Sequence, residues 1–247
     1  MKISIYTIIL SSLFVNIGFS QNGSLKVTYL ESRSITEAVT KAIPEHLKEQ
    51  LLPVLKKEYE KQMILEINGS MSSYREDVAI SDLPNDNINI ILPNNAGSNS
   101  KLFKNLVEKK QTIQHELGGK KFLIEKELPM ISWEILQEKK NIGGYQVQKA
   151  ISTIGGSTVT AWYASTLPVS NGPKDLWGLP GLILEVGFED NSFIVAKEIT
   201  RNAGIKTEQP SKGKQVTEEE FQALKKDYAE NLEKMYGGRE GTTVIKN

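Results

Sequence analysis

The stretch that decides the fold is WEILQEKKNIGGYQVQKAISTIGGSTVTAWYAS, Trp133–Ser165. Three runs of strand length are separated by Asn141–Gly144 and by Gly155-Gly156. Glycine pairs take the positive φ that a tight turn needs. No helical crossover lies between the runs, so neighbouring strands pair antiparallel. In the third run Val159, Ala161 and Tyr163 share one face, and Thr158, Thr160 and Trp162 share the other. Such alternation suits a sheet with one buried and one partly wet face.

The same pattern runs outward in both directions. LVEKKQTIQHEL passes Gly118-Gly119 into KKFLIEKEL, and LILEVGFE passes Asp190-Asn191 into SFIVAKEIT. Leu182, Leu184, Val186 and Phe188 point one way, with Glu185 and Gly187 opposite. Leu25–Glu31 reads as a first strand, and Asn68-Gly69 sits between strand-like runs as a hairpin turn. The lysine pairs at 109–110, 120–121 and 139–140 mark exposed strand ends, which discourage edge pairing.

Helical signals flank this meander. Ser34 and Glu37 form a capping box, and Leu47, Leu51, Leu55 and Tyr59 recur every four residues. A helical segment is expected over 35–59, kinked at Pro53. Thr217 and Glu220 form a second capping box before a stripe of Phe221, Leu224, Tyr228, Leu232 and Met235 that should dock on the sheet. The expected fold is one α+β domain over 21–236. Its large antiparallel meander is a curved sheet of half-barrel type, packed with the N-terminal helical segment and the C-terminal helix. Residues 85–99 read as an exposed loop and 237–247 as a loose tail.

The first residues, MKISIYTIILSSLFVNIGFSQ, have a basic start, a short apolar run and small residues at Gly18 and Ser20. This is the pattern of a secretory signal over 1–20, cleaved after Ser20, so the expected location is periplasmic or secreted. No later segment has the roughly 20 apolar residues of a membrane helix. There is no cysteine, which excludes disulfides and a cysteine-linked lipid anchor. Lys+Arg and Asp+Glu number 30 each. Loss of Lys2 with the leader leaves 29 − 30 = −1, so nothing marks a nucleic-acid surface.

Chemistry-bearing clusters are sparse. His46 and His115 lack paired-ligand spacing, and Asp86 is the sole acid of the 85–99 loop, so neither zinc nor calcium is expected. There is no Gly-x-Ser-x-Gly elbow. Glu31, Glu134, Glu185 and Glu189 lie in or beside strands and could only form a catalytic pair if two converged. Gly178-Leu179-Pro180-Gly181 has no lysine and no following helix, which excludes a phosphate loop. Pro180-Gly181 suits a type II turn with Gly181 at positive φ, setting the start of the strand Leu182–Phe188. Trp177 and Leu179 would then hold the Gly172–Gly181 bend on the core. No catalytic residue and no cofactor is assigned.

The hexapeptide Gly178–Ile183, that is Gly178, Leu179, Pro180, Gly181, Leu182 and Ile183, resembles the signature of the GLPGLI family of bacterial secreted proteins. Gly172-Pro173, Ala161-Trp162-Tyr163, Trp133, Gly144-Tyr145 and Lys149-Ala150 extend the resemblance over 133–186. The resemblance implies an exported, β-rich protein of uncharacterised activity, with no catalytic residues to transfer. Many members have a cysteine two residues after the Gly-Tyr pair, where this chain has Val147. The functional expectation is a non-enzymatic binding or carrier protein of the cell envelope, with a lipid-like or peptide ligand on its sheet. The alternative is a protein–protein accessory module, and a hydrolase ranks third. Expected partners are a hydrophobic small molecule, a peptide or an envelope protein, with no nucleic acid and no membrane-spanning segment after cleavage.

Overall fold

A computed structural model describes residues 24–35, 37–43, 45–77, 89–91, 100–201, 204–236 and 242–244. The leader expected at 1–20 and most of the 85–99 loop, Asp86 included, lie outside the described residues. In chain order the strands are β1 Leu25–Ser32, β2 Glu60–Asn68, β3 Met71–Glu76, β4 Asn89–Ile91, β5 Ser100–Asn105, β6 Lys110–Leu117 and β7 Lys120–Glu127. They continue with β8 Glu134–Ile142, β9 Tyr145–Ile154, β10 Ser157–Ala164, β11 Leu182–Phe188, β12 Phe193–Arg201, β13 Lys214–Gln215 and β14 Thr242–Val244. The helices are α1 Glu37–Ala42, α2 Lys48–Tyr59 and α3 Glu218–Tyr236.

Twelve strands form one open sheet in the order β13-β7-β6-β5-β3-β2-β1-β12-β11-β10-β9-β8. All pairings are antiparallel except the short β13–β7 edge. The expected turns close the hairpins, with Gly143, Gly144, Gly155 and Gly156 all at positive φ. Two meanders, β1-β2-β3-β5-β6-β7 and β8–β12, join where β12 pairs with β1 from Leu25↔Arg201 to Ser32↔Phe193.

One connection forces the sheet to curl. β7 and β8 stand ten strand spacings apart, about 48 Å in a flat sheet. The six residues 128–133 that join them can reach at most about 25 Å. The two wings must therefore fold towards each other. The buried core agrees: Tyr74 and Leu102 of one wing cluster with Val147, Ala150 and Val159 of the other.

The inner face of this curl is occupied by the chain itself. The segment 165–181, between β10 and β11, buries Leu167, Leu176 and Leu179 in the central cluster. Phe221 of α3 packs on Leu117, Phe122 and Ile124, with Leu224 and Tyr228 beside it. The reciprocal cap of α3 is formed as expected: Thr217 N–H donates to Glu220 Oε2 at 2.8 Å and Glu220 N–H to Thr217 Oγ1 at 3.1 Å. Met235, at the far end of the expected stripe, is exposed, so docking does not extend over the last turn.

The N-terminal helical segment expected over 35–59 as a layer packed with the sheet is not supported. The chain there forms two short helices and a single 3-10 turn, Glu45–Leu47, and α2 runs directly into β2. Of the side chains described there, Ile43 and Tyr59 are buried. Pro53, inside α2, removes one helical hydrogen bond.

Two features were not expected. Residues 204–213 strap across the first wing: Asn68 Nδ2 donates to Ile205 O at 3.1 Å, Gln209 Nε2 to Thr112 Oγ1 at 2.8 Å, and Gln114 Nε2 to Lys212 O at 2.6 Å. The strap then delivers β13 to β7. Separately, β14 pairs in parallel with β4 as a two-stranded sheet.

Candidate functional site

The residues marked by the sequence converge on the segment 165–181 and its flanking strands. Its path is a series of tight turns. Val169 N–H donates to Leu167 O, Asn171 N–H to Val169 O, and Gly181 N–H to Leu179 O, each spanning two residues as in γ-turns. The turn at Pro180-Gly181 is thus a γ-turn centred on Pro180. The type II turn with Gly181 at positive φ is not what forms. The glycine with positive φ is Gly178, at 97°. Gly181 is required for a different reason: a Cβ there would stand 2.3 Å from Ala164 O. Gly172 is similar, since its Cβ would meet Ile183 Cδ1 at 2.8 Å.

Leu179, Leu182 and Ile183 are fully buried. Trp177 is fixed by hydrogen bonds to the wing-to-wing crossover. Its Nε1–H donates to Pro129 O at 2.8 Å, while Trp133 Nε1–H donates to Trp177 O at 2.8 Å. Pro173 is buried and Pro180 exposed. Tyr163 faces inward, and burial pushes its hydroxyl pKa up.

A polar clasp holds the segment from below, and the sequence reading missed its centre. Lys104, on β5, is completely buried. Its Nζ donates to Gly172 O at 2.7 Å and to Leu176 O at 3.3 Å. Burial lowers this amine from its ordinary 10.5 to about 7, and the charge of Asp175 opposes the shift. Nearby, Tyr29 O–H donates to Ile183 O at 2.6 Å. Glu31, also buried, accepts from Tyr74 O–H at 3.2 Å and pairs with Lys174 Nζ at 2.9 Å and Arg33 Nε at 3.7 Å. Burial, then the Glu31 charge, holds the Tyr74 hydroxyl far above its usual range. One signal for Lys104 was available: it alternates with Leu102 and so belongs on an apolar face.

The four strand carboxylates do not converge. Glu31 belongs to the clasp, Glu185 pairs with Lys140 at 2.7 Å, Glu189 accepts from Thr158 N–H at 2.9 Å, and Glu134 is exposed. The hydrogen bonds from Thr158 hold the Glu189 carboxyl below its ordinary value. His115 stacks on Phe221 with ring centroids 4.3 Å apart, and His46 is exposed. Among the described residues no group of three or more His, Cys, Asp or Glu is placed to hold a metal ion.

The second marked feature is Trp162, half-buried on the outer face of the second wing. Lys140 Nζ lies 4.2 Å from its ring centroid and Lys149 Nζ 6.0 Å. Lys149 also pairs with Glu138 at 3.0 Å. These charges and the indole form an amphipathic patch on strands β8–β11. On the first wing, a cleft of about 180 Å³ is floored by Phe103 and Thr112 and edged by Asn105, Glu125, Glu127 and Gln209.

Comparison with known proteins gives one local match and a likeness of fold. A family described as a protein of unknown function, Porph_ging, matches residues 154–185, which take in the hexapeptide. No curated protein sequence matches the chain. Two crystal structures of PNGF-II, in space groups C2 and P21, are similar in fold. They share 14% and 15% identity with TM-scores of 0.55 and 0.56 over 83% of this chain. The chain spans about a third of their length (33% and 34%). At this identity the likeness is one of fold.

Proposed function

We propose that this chain is an exported, non-enzymatic interaction module of the bacterial cell envelope and a member of the GLPGLI family. The family reading is supported by the hexapeptide Gly178–Ile183 and by the companion residues over 133–186. Export is supported by the leader pattern at 1–20. The observation that carries the functional reading is the occupied inner face. Leu167, Leu176 and Leu179 fill the space where a carrier would hold an acyl chain or peptide. Recognition then falls to the outside of the sheet, where the Trp162 patch offers an indole face and both charge signs. Such half-wet aromatic surfaces suit a protein partner.

A photo-crosslinking residue at Thr160, on the same face as Trp162, tests this in cells of the native host. The expected result is a discrete adduct with one envelope protein. The competing carrier reading predicts a bound lipid or peptide in native mass spectrometry of protein taken from its own envelope. That mass, together with no protein adduct, would overturn the module.

A further inference from the structure

We propose that Lys104 is a proton-operated latch: its fully buried amine, bonded to Gly172 O and Leu176 O, holds the segment 165–181 shut, and uptake of a proton by that amine favours release of the segment from the inner face. The inference goes beyond the interaction reading and does not depend on it.

The geometry comes first. Lys104 reaches out of β5 to two carbonyls of the segment, Gly172 O and Leu176 O. A neutral amine has enough N–H donors for both. An ammonium has one more donor and a charge that burial leaves poorly solvated. The surroundings of the amine are under-satisfied too. Ser72 and Gln111 flank Lys104 on the neighbouring strands, through the pairs Ser72↔Lys104 and Lys104↔Gln111. Ser72 Oγ and Gln111 Oε1 are buried without a hydrogen-bond partner, as is Nδ2 of Asn171, the residue before Gly172. Polar groups of this kind favour any rearrangement that admits water. All three lie on the strands beside Lys104 or on the segment that it holds.

The charged and titratable groups around the amine are few. Those of the clasp are Asp175 and Lys174 on the segment, Glu31 and Tyr29 on β1 and Tyr74 on β3, with Lys126 paired to Gln111 on β7, and Asp175 is the one that acts on the amine. Asp175 is the one whose charge favours the ammonium, and burial outweighs it.

The sign follows from linkage. The closed molecule binds the proton at about pH 7, whereas a solvated lysine binds it at 10.5. Between these values opening takes up a proton, so the opening equilibrium rises about ten-fold for each pH unit of fall. Below about pH 7 both states are protonated and opening is flat. The segment is therefore held most firmly on the alkaline side and released most readily at neutral and acid pH.

Amide hydrogen exchange tests the latch. Leu182 N–H and Ile183 N–H donate to Leu167 O and Asn171 O, so their exchange reports release of the segment. After correction for intrinsic rates, their opening should fall about ten-fold per pH unit from about pH 7 to about pH 9 and be flat below. Lys104→Met should abolish the slope. Glu31→Gln, which removes the other tether at Lys174, should raise opening equally at every pH in that window and keep the slope. A slope that survives Lys104→Met would overturn the latch. So would equal protection and equal slope at Val27 on β1, which would mean the proton is coupled to unfolding of the whole sheet. If Lys104→Met does not fold, the ¹³Cε shift of Lys104 in the native protein decides. A midpoint near 7 supports the latch, and one at the ordinary 10.5 overturns it.

Discussion

Gly181 is determined by a neighbour 17 positions earlier in the chain rather than by its own turn. Its N–H closes the γ-turn over Pro180, and its Cα passes so close to the end of β10 that a side chain has nowhere to go. Gly181→Val would drive Cβ to 2.3 Å from Ala164 O, which is backbone and cannot swing aside. Overpacking of this kind costs about 1–3 kcal/mol, and a clash with backbone belongs at the upper end. Urea denaturation should show a loss of about 3 kcal/mol with an unchanged m-value. A variant as stable as the native chain would mean the segment can take another route. The sequence marked Gly181 as essential but assigned the wrong cause. Turn chemistry is local and readable, whereas the approach to Ala164 exists only after β10 and β11 have paired.

The same division separates the elements. The cap of α3 is a four-residue arrangement, and both of its hydrogen bonds form as Thr217 and Glu220 imply. Thr217→Ala should therefore cost about 1 kcal/mol, read as a lowered Tm in differential scanning calorimetry. An unchanged Tm would show that packing at Phe221 alone fixes the start of α3. Hairpins with glycine or Asp-Asn turns were legible for the same reason, since register follows from alternation and a short turn. Less local elements were not. The 204–213 strap has no periodicity and is held by side chains of Asn68, Thr112 and Gln114 on distant strands. The segment 35–59 carried a helical stripe, yet the chain there divides into α1, a 3-10 turn and α2 rather than one continuous helix, because short helical pieces gain little from propensity alone. Lys104 hid inside a strand because a lysine on an apolar face makes sense only once the carbonyls it serves are in place.

At the scale of the molecule the question is whether two wings make one folding unit. The β1–β12 ladder joins them through eight paired residues, from Leu25↔Arg201 to Ser32↔Phe193. Three further ties cross the curl. Tyr29 O–H reaches Ile183 O, Lys104 holds Gly172 and Leu176, and the reciprocal bonds of Trp133 and Trp177 tie the crossover to the segment. One shared core cluster draws side chains from both wings. A molecule linked in this way should unfold in one step, because neither wing keeps its inner face covered when the other leaves. Of the three tryptophans, Trp162 lies on the second wing and Trp133 and Trp177 lie in the crossover and the segment packed against it, so their fluorescence follows that wing and its seam with the first. Far-UV circular dichroism follows strands in both. In urea the two signals should trace one transition with a common midpoint. If fluorescence changed at lower urea than circular dichroism, the second wing would be opening first. The core shared across the curl would then be too weak to bind the wings into one cooperative structure.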